Sequence, residues 1–121
     1  MKRILVLDDE RVTATAVARI LKYRYKVDVF VDGYAALEAI RTNTYSCVLS
    51  DMDMPAMSGI EFYEKVCCIR PTLAQHFLFH TGSTATIPKG TPRIAKGSRP
   101  TVIRDLVERL TSENFRRAGY C

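Results

Sequence analysis

Ile4-Leu5-Val6-Leu7 is an unbroken apolar run, the pattern of a parallel strand covered on both faces. Ala14, Val17, Ala18 and Leu21 follow at helical spacing and predict a helix with one buried stripe. Val27, Val29 and Val31 then alternate with Lys26, Asp28 and, less cleanly, Phe30, which predicts a strand with one wetter face, as at a sheet edge. Asp32-Gly33 turns the chain into a helix carrying Ala36, Leu37 and Ile40. A strand over 46–50 comes next, then a helix marked by Phe62, Val66 and Ile69, which Pro71 ends. Phe77-Leu78-Phe79 reads as a fourth strand and Ile94-Ala95 as a short fifth. Ile103, Leu106, Val107 and Leu110 mark a last helix that starts near Pro100.

Strand and helix alternate through most of the chain. That order predicts an α/β fold, with helices on both faces of a parallel sheet and right-handed crossovers. At 121 residues, the length suits one domain, 1–121, with its own core. The fourth crossover breaks the alternation. Fourteen residues, 82–95, separate Thr81 from Lys96, and they include Gly82, Pro88, Gly90 and Pro92. Proline and glycine at those places leave room for a loop rather than a helix.

Composition narrows the class without naming a chemistry. No stretch reaches the roughly 18 apolar residues of a membrane span. The N-terminal apolar stretch of four residues is shorter than the roughly 7–15 of a secretion signal, so a cytoplasmic protein is expected. The four cysteines show no metal spacing; Cys47 reads as a core residue, and all four are expected to be reduced. The net charge of +5 comes entirely from residues 86–121, with eight basic and three acidic residues. Those basic residues are spread along the segment, so a solvated helix face is expected rather than a nucleic-acid interface.

The polar residues that end the strands carry the chemistry. Ligands of open parallel sheets lie beyond the carboxyl ends of the strands. Those ends read Asp8-Asp9, Asp51, Thr81 and Lys96. Asp51 is thrown off an apolar strand into a Pro- and Gly-containing loop, Asp51-Met52-Asp53-Met54-Pro55-Ala56-Met57-Ser58-Gly59. A carboxylate there can bind a hard cation, act as a nucleophile toward phosphorus, or merely cap the next helix. Three crowded carboxylates repel, and a divalent cation such as Mg²⁺ would offset their charge. Lys96 offers a cation, and Thr81 a hydroxyl, to a phosphoryl oxygen.

Taken together, these positions resemble a response-regulator receiver domain of two-component signalling. The resemblance rests on Asp8-Asp9, the 32–37 stretch, Asp51-Met52-Asp53-Met54-Pro55 with Gly59, Thr81-Gly82 and Lys96. It implies a flavodoxin-like, doubly wound, five-stranded sheet in the order 2-1-3-4-5. It implies that Asp51 accepts a phosphoryl group from a sensor histidine kinase or phosphotransfer protein. Asp9 and Asp51 would ligate Mg²⁺, with Asp8 acting through water and Asp53 through its backbone carbonyl. Lys96 and Thr81 would read out the phosphoryl group to a downstream protein, with no direct contact to nucleic acid or membrane. Such a domain signals and is not an enzyme in the ordinary sense.

The chain departs from the family in the same region. The helix of the fourth crossover is expected to be a loop. Arg93 stands where an aromatic switch residue is usual, Gly97 replaces a proline, and His80 replaces an aliphatic residue. His76 and His80 are read as partly buried structural residues. Two rival readings stay open. One is a pseudo-receiver that binds a partner without phosphorylation. The other is a phosphatase of the haloacid-dehalogenase type, which Asp51-Met52-Asp53 also resembles.

Overall fold

A computed structural model describes residues 1–84 and 86–112. Its strands are β1 (Arg3–Leu7), β2 (Lys26–Phe30), β3 (Cys47–Ser50), β4 (Phe77–Thr81) and β5 (Arg93–Ala95). Its helices are α1 (Arg11–Leu21), α2 (Gly33–Thr42), α3 (Gly59–Ile69), α4 (Pro71–Ala74) and α5 (Pro100–Thr111). The strands form one parallel sheet in the order β2-β1-β3-β4-β5. The sheet therefore has the expected flavodoxin-like topology, and the alternating strand β2 is indeed at an edge.

Strand alternation sorts the core into two layers. Ile4, Val6, Cys47, Leu49, Leu78 and Ile94 pack with Val17 and Leu21 of α1 and Ile103, Val107 and Leu110 of α5. Leu5, Leu7, Val48, Phe77 and Phe79 pack on the other face with Ala36, Leu37 and Ile40 of α2 and Phe62, Tyr63 and Val66 of α3. Phe77 is the centre of an aromatic group, with ring centroids 5.0 Å from Tyr63 and 4.9 Å from Phe79. Each such pair adds about 0.5–1.5 kcal/mol to the gain from burial alone. Through Tyr63, this cluster packs α3 on β4.

Two local details depart from the reading of the sequence. Pro71 ends α3 but also opens one further turn, α4, which hydrophobic spacing does not signal. A proline at the first helical position has its φ already set and lacks only an N–H that would be unpaired there. Leu73 and Ala74 then anchor the turn in the core. The second concerns the thiols. Cys47 and Cys68 are free, whereas Cys67 is disulfide-bonded, so the expectation of four reduced thiols fails; Cys121 lies outside the described residues. A compartment sets a redox poise, but it does not say which sulfurs come within bonding reach.

Between β4 and β5, the described residues of 82–92 form no helix and no strand, in line with the loop expected there. A turn at Pro88–Thr91 is closed by the Thr91 N–H donating to the Pro88 carbonyl at 3.1 Å. Gly90 takes φ 83° within it, a region that side chains with a Cβ avoid. Ile87 lays its side chain on the α2–α3 layer of the core.

The two free thiols differ sharply in environment. Cys47 is fully buried, and burial pushes its pKa up to about 12. Cys68 is exposed on α3. Iodoacetamide at pH 8, followed by intact mass, should therefore modify Cys68 in the native protein and Cys47 only after denaturant is added. Rapid native-state alkylation of Cys47 would contradict the place given to β3.

Candidate functional site

The site is built at the point where the strand order reverses. β1 lies between β2 and β3, and Leu7 is in register with Ser50. The residues that follow, Asp8 and Asp51, are thereby brought side by side. The Asp51 N–H donates to the Leu7 carbonyl at 2.9 Å, which extends the sheet bonding one step beyond the strands. Both carboxylates are almost out of water, at 2 % and 4 % exposure.

Each buried carboxylate is held on two sides. Asp8 Oδ1 accepts from the Glu10 N–H at 2.9 Å. Asp51 Oδ1 accepts from the Met52 N–H at 2.7 Å. The Lys96 ammonium reaches the remaining oxygens, 3.2 Å from Asp8 Oδ2 and 3.1 Å from Asp51 Oδ2, with Glu10 Oε1 at 3.9 Å. Burial raises the Asp8 pKa; the Glu10 N–H and Lys96 oppose that, and the Asp51 charge adds to it. Burial by itself would lower the Lys96 pKa, but its bonds to Asp51 and Asp8 outweigh burial and raise it. Lys96 is therefore a fixed positive charge at physiological pH.

Asp9 and Asp53 are exposed, and Thr81 is buried at the end of β4. Asp9, Asp51, Asp53, Thr81 and Lys96 line an open cleft of about 580 Å³. All the predicted site residues thus meet at one place, five of them at the cleft and Asp8 just beneath it. Thr81 Oγ1 accepts from the Ser83 N–H at 3.0 Å, and its own proton remains for an acceptor in the cleft. Asp8, Asp9 and Asp51 each offer an oxygen, all within 4.8 Å of one another. An all-oxygen, anionic donor set of that size fits a hard divalent cation.

Two participants, Glu10 and Ser83, were not identified from the sequence. Glu10 adds a third carboxylate around Lys96, and its only signal is that it follows Asp8-Asp9. Ser83 fixes the Thr81 hydroxyl, and a turn-forming residue two places on is a weak cue. Gly59 sets the shape of the loop after Asp51. Its N–H donates to the Met52 carbonyl at 2.8 Å, while Ser58 caps α3 by accepting from the Glu61 N–H at 3.1 Å. A Cβ on Gly59 would lie 2.2 Å from the Asp51 carbonyl oxygen and 2.7 Å from Met52 Cα.

The two histidines lie outside the cleft. His76 precedes β4 rather than sharing it, and its Nδ1–H donates to the Leu110 carbonyl at 2.6 Å. His80 is buried on β4; burial and then Lys96 lower its pKa, against the pull of Asp51, so it is neutral at pH 7.

A profile of the response regulator receiver domain matches residues 4–89. The chain belongs to the response regulator receiver family. That match takes in Asp8, Asp9, Asp51, Asp53 and Thr81 and stops before β5 and Lys96. The receiver protein CpdR of Brucella abortus is 34 % identical over 113 residues, covering 91 % of this chain and 94 % of that protein. The transcriptional regulator CutR of Streptomyces coelicolor is 43 % identical over 65 residues, but these make up only 30 % of its length. Among solved structures, the receiver of the hybrid histidine kinase CckA superposes with a TM-score of 0.79 at 26 % identity, covering 91 % of this chain and 99 % of that one. A CheY-like receiver from Methanospirillum hungatei gives 0.79 at 24 % identity, covering 91 % and 94 %, and supports the fold.

Receivers of two-component systems serve as phosphoacceptors in signalling rather than as ordinary enzymes. That leaves the phosphatase reading without support. No described helix is long and apolar enough to cross a membrane.

The receiver site depends on a glycine that has no chemistry of its own. Gly59→Ala should cost roughly 3 kcal/mol or more in urea unfolding, at the upper end of overpacking effects, because the obstructing atoms are backbone. A loss under about 1 kcal/mol would mean that the loop after Asp51 relaxes freely.

Proposed function

We propose that Asp51 is the phosphoacceptor of this receiver, taking a phosphoryl group from the phosphohistidine of a sensor kinase or phosphotransfer protein. The observation that carries this reading is the Lys96 ammonium 3.1 Å from a nearly buried Asp51 oxygen that borders an open, oxygen-lined cleft. An Asp51 oxygen attacks phosphorus in line, and the phosphorus–nitrogen bond to the donor imidazole breaks. Asp51 Oδ1 stays anchored on the Met52 N–H, which fixes the direction of attack. Lys96 and the Thr81 hydroxyl move onto the incoming phosphoryl oxygens, where fixed positive charge and a donor lower the barrier most. Asp9, Asp51 and the Asp53 carbonyl would hold Mg²⁺, with Asp8 acting through water, and the bound ion would supply charge compensation for the phosphoryl oxygens.

The output is protein docking in the cytoplasm, without direct nucleic-acid contact. Drawing Thr81 toward the phosphoryl group breaks its bond with the Ser83 N–H and so reorganises the loop that follows. A downstream partner reads that loop or α1. The second reading, a pseudo-receiver, draws on the missing crossover helix and on Arg93 in place of an aromatic residue. It requires no transfer to Asp51.

Intact mass before and after acetyl phosphate with Mg²⁺ separates the two. The wild type should gain one phosphoryl group, acid-stable and base-labile, and Asp51→Asn should gain none. Equal labelling of Asp51→Asn would move the phosphoacceptor elsewhere, and no labelling of wild type would favour the pseudo-receiver.

Mg²⁺ titration tests the metal assignment. Binding should be weak, because water fills most of the coordination sphere. Asp9→Ala should weaken it more than Asp8→Ala does. Equal losses would contradict a direct role for Asp9 and an indirect one for Asp8.

A further inference from the structure

The amino ends of the strands form a second rim, on the opposite side of the sheet from the cleft. Lys2, Ser46 and His76 stand immediately before β1, β3 and β4. A strand rises about 3.3 Å per residue, so the course from Lys2 to Asp8 sets this rim roughly 20 Å from the cleft. A cavity of about 410 Å³ opens there, bordered by the loop after α2, by Arg70 and the α4 turn, and by the end of α5. Small-molecule sites run from roughly 300 to 1,000 Å³. The α4 turn shapes the cavity: Pro71 opens the turn, Leu73 is drawn into the core, and Thr72 is left exposed on the rim. Tyr45 is buried, and its hydroxyl donates to Asp28 at 2.7 Å, so that with Leu73 it gives the cavity a fixed apolar wall.

The charge on this wall has one sign. Lys2 and Arg70 line the cavity and no Asp or Glu does, among the described residues. Each cation is pinned on a helix end. Lys2 Nζ donates to the Thr111 carbonyl of α5, and Arg70 Nη2 to the Arg41 carbonyl of α2 at 3.0 Å. A cation placed there offsets the negative end of a helix, which is a structural role. That role uses only part of what the two side chains offer, since an ammonium has three donors and a guanidinium five. Arg3, Arg24, Arg41 and Lys96 each face a carboxylate. Lys2 and Arg70 face carbonyls, which carry only partial charge.

We infer that this cavity is a binding site for a small aromatic carboxylate, its anionic head on Lys2 and Arg70 and its ring against Tyr45 and Leu73. A guanidinium matches a carboxylate with two parallel hydrogen bonds. Both cations are already held by helix carbonyls, so binding immobilises little further side chain. A phosphate monoester suits the cavity less, because the carboxyl ends of α2 and α5 lie there and disfavour a second negative charge. The site draws on none of the groups around Asp51, so this inference and the phosphoacceptor reading fail separately.

Titration of the ¹⁵N-labelled full chain with 2-naphthoate, followed through the amide shifts, tests the assignment. Amides of Ser46, Thr72 and Leu73 should move, and those of Asp9 and Asp53 should not. A ligand of that size should bind with a Kd of about 1 mM. The neutral 2-naphthamide and inorganic phosphate should each bind roughly tenfold more weakly, the first for want of charge and the second for want of a ring. The Lys2→Gln, Arg70→Gln double variant should also lose roughly tenfold for 2-naphthoate. Lys89→Gln, exposed in the crossover, and Asp51→Asn should both stay within about twofold of wild type. Thermal unfolding checks each variant, and the two single variants carry the test if the double one does not fold. Shifts that map to the Asp51 cleft, or no saturation by about 10 mM, would overturn the inference. So would equal binding of 2-naphthamide, tighter binding of inorganic phosphate, or binding indifferent to Lys2 and Arg70.

Discussion

Two carboxylates held almost out of water beside one another can persist only if something offsets their charge, and Lys96 does so from the far side of the cleft. Removing one partner from a buried charge cluster costs on the order of 3–5 kcal/mol, far more than an exposed ion pair contributes. Lys96 is therefore structural as well as chemical. Its position follows from β5, whose backbone pairing with β4 ends with the Lys96 N–H reaching toward the Thr81 carbonyl. The fifth strand is three residues long, yet it is what carries the ammonium to the junction of β1 and β3.

The same junction explains the stiffness of the loop after Asp51. Met52 and Met57 are buried, so the loop is pinned by side chains at both ends. Gly59 then brings the start of α3 against the Asp51 backbone, where no Cβ fits. Asp51 is fixed by its own N–H, by the Met52 N–H and by the α3 N-terminus at once. On the proposed function, a nucleophile held in this way would need little reorganisation to meet phosphorus, which is where preorganised sites gain most of their advantage.

The crossover between β4 and β5 changes what the scaffold can transmit. In a sheet covered by helices, a shift at Thr81 pushes a rigid element. On the proposed read-out, it would act here on a loop tied down by the Pro88–Thr91 turn and by Ile87. Tyr63 of α3 packs its ring on Phe77 and Phe79 of β4. On that reading stability and read-out are separated, with α3 and β4 holding the core and the crossover left to respond.

The sequence by itself determined the fold class, the edge position of β2, the shortened crossover and the residues that end each strand. It could do so because burial on two faces gives continuous apolar runs, burial on one face gives alternation, and proline and glycine exclude helix. It also brought Asp8, Asp9, Asp51, Thr81 and Lys96 to one rim, since strand ends in a parallel sheet lie together whatever the details. Only the tertiary structure decided how these groups pair. The register of Leu7 with Ser50 sets Asp8 against Asp51, and Lys96 then bonds both, which no spacing along the chain reports. Glu10, Ser83, the α4 turn and the bonded Cys67 became visible for the same reason. Each depends on which atoms come within about 4 Å across elements that the sequence keeps apart.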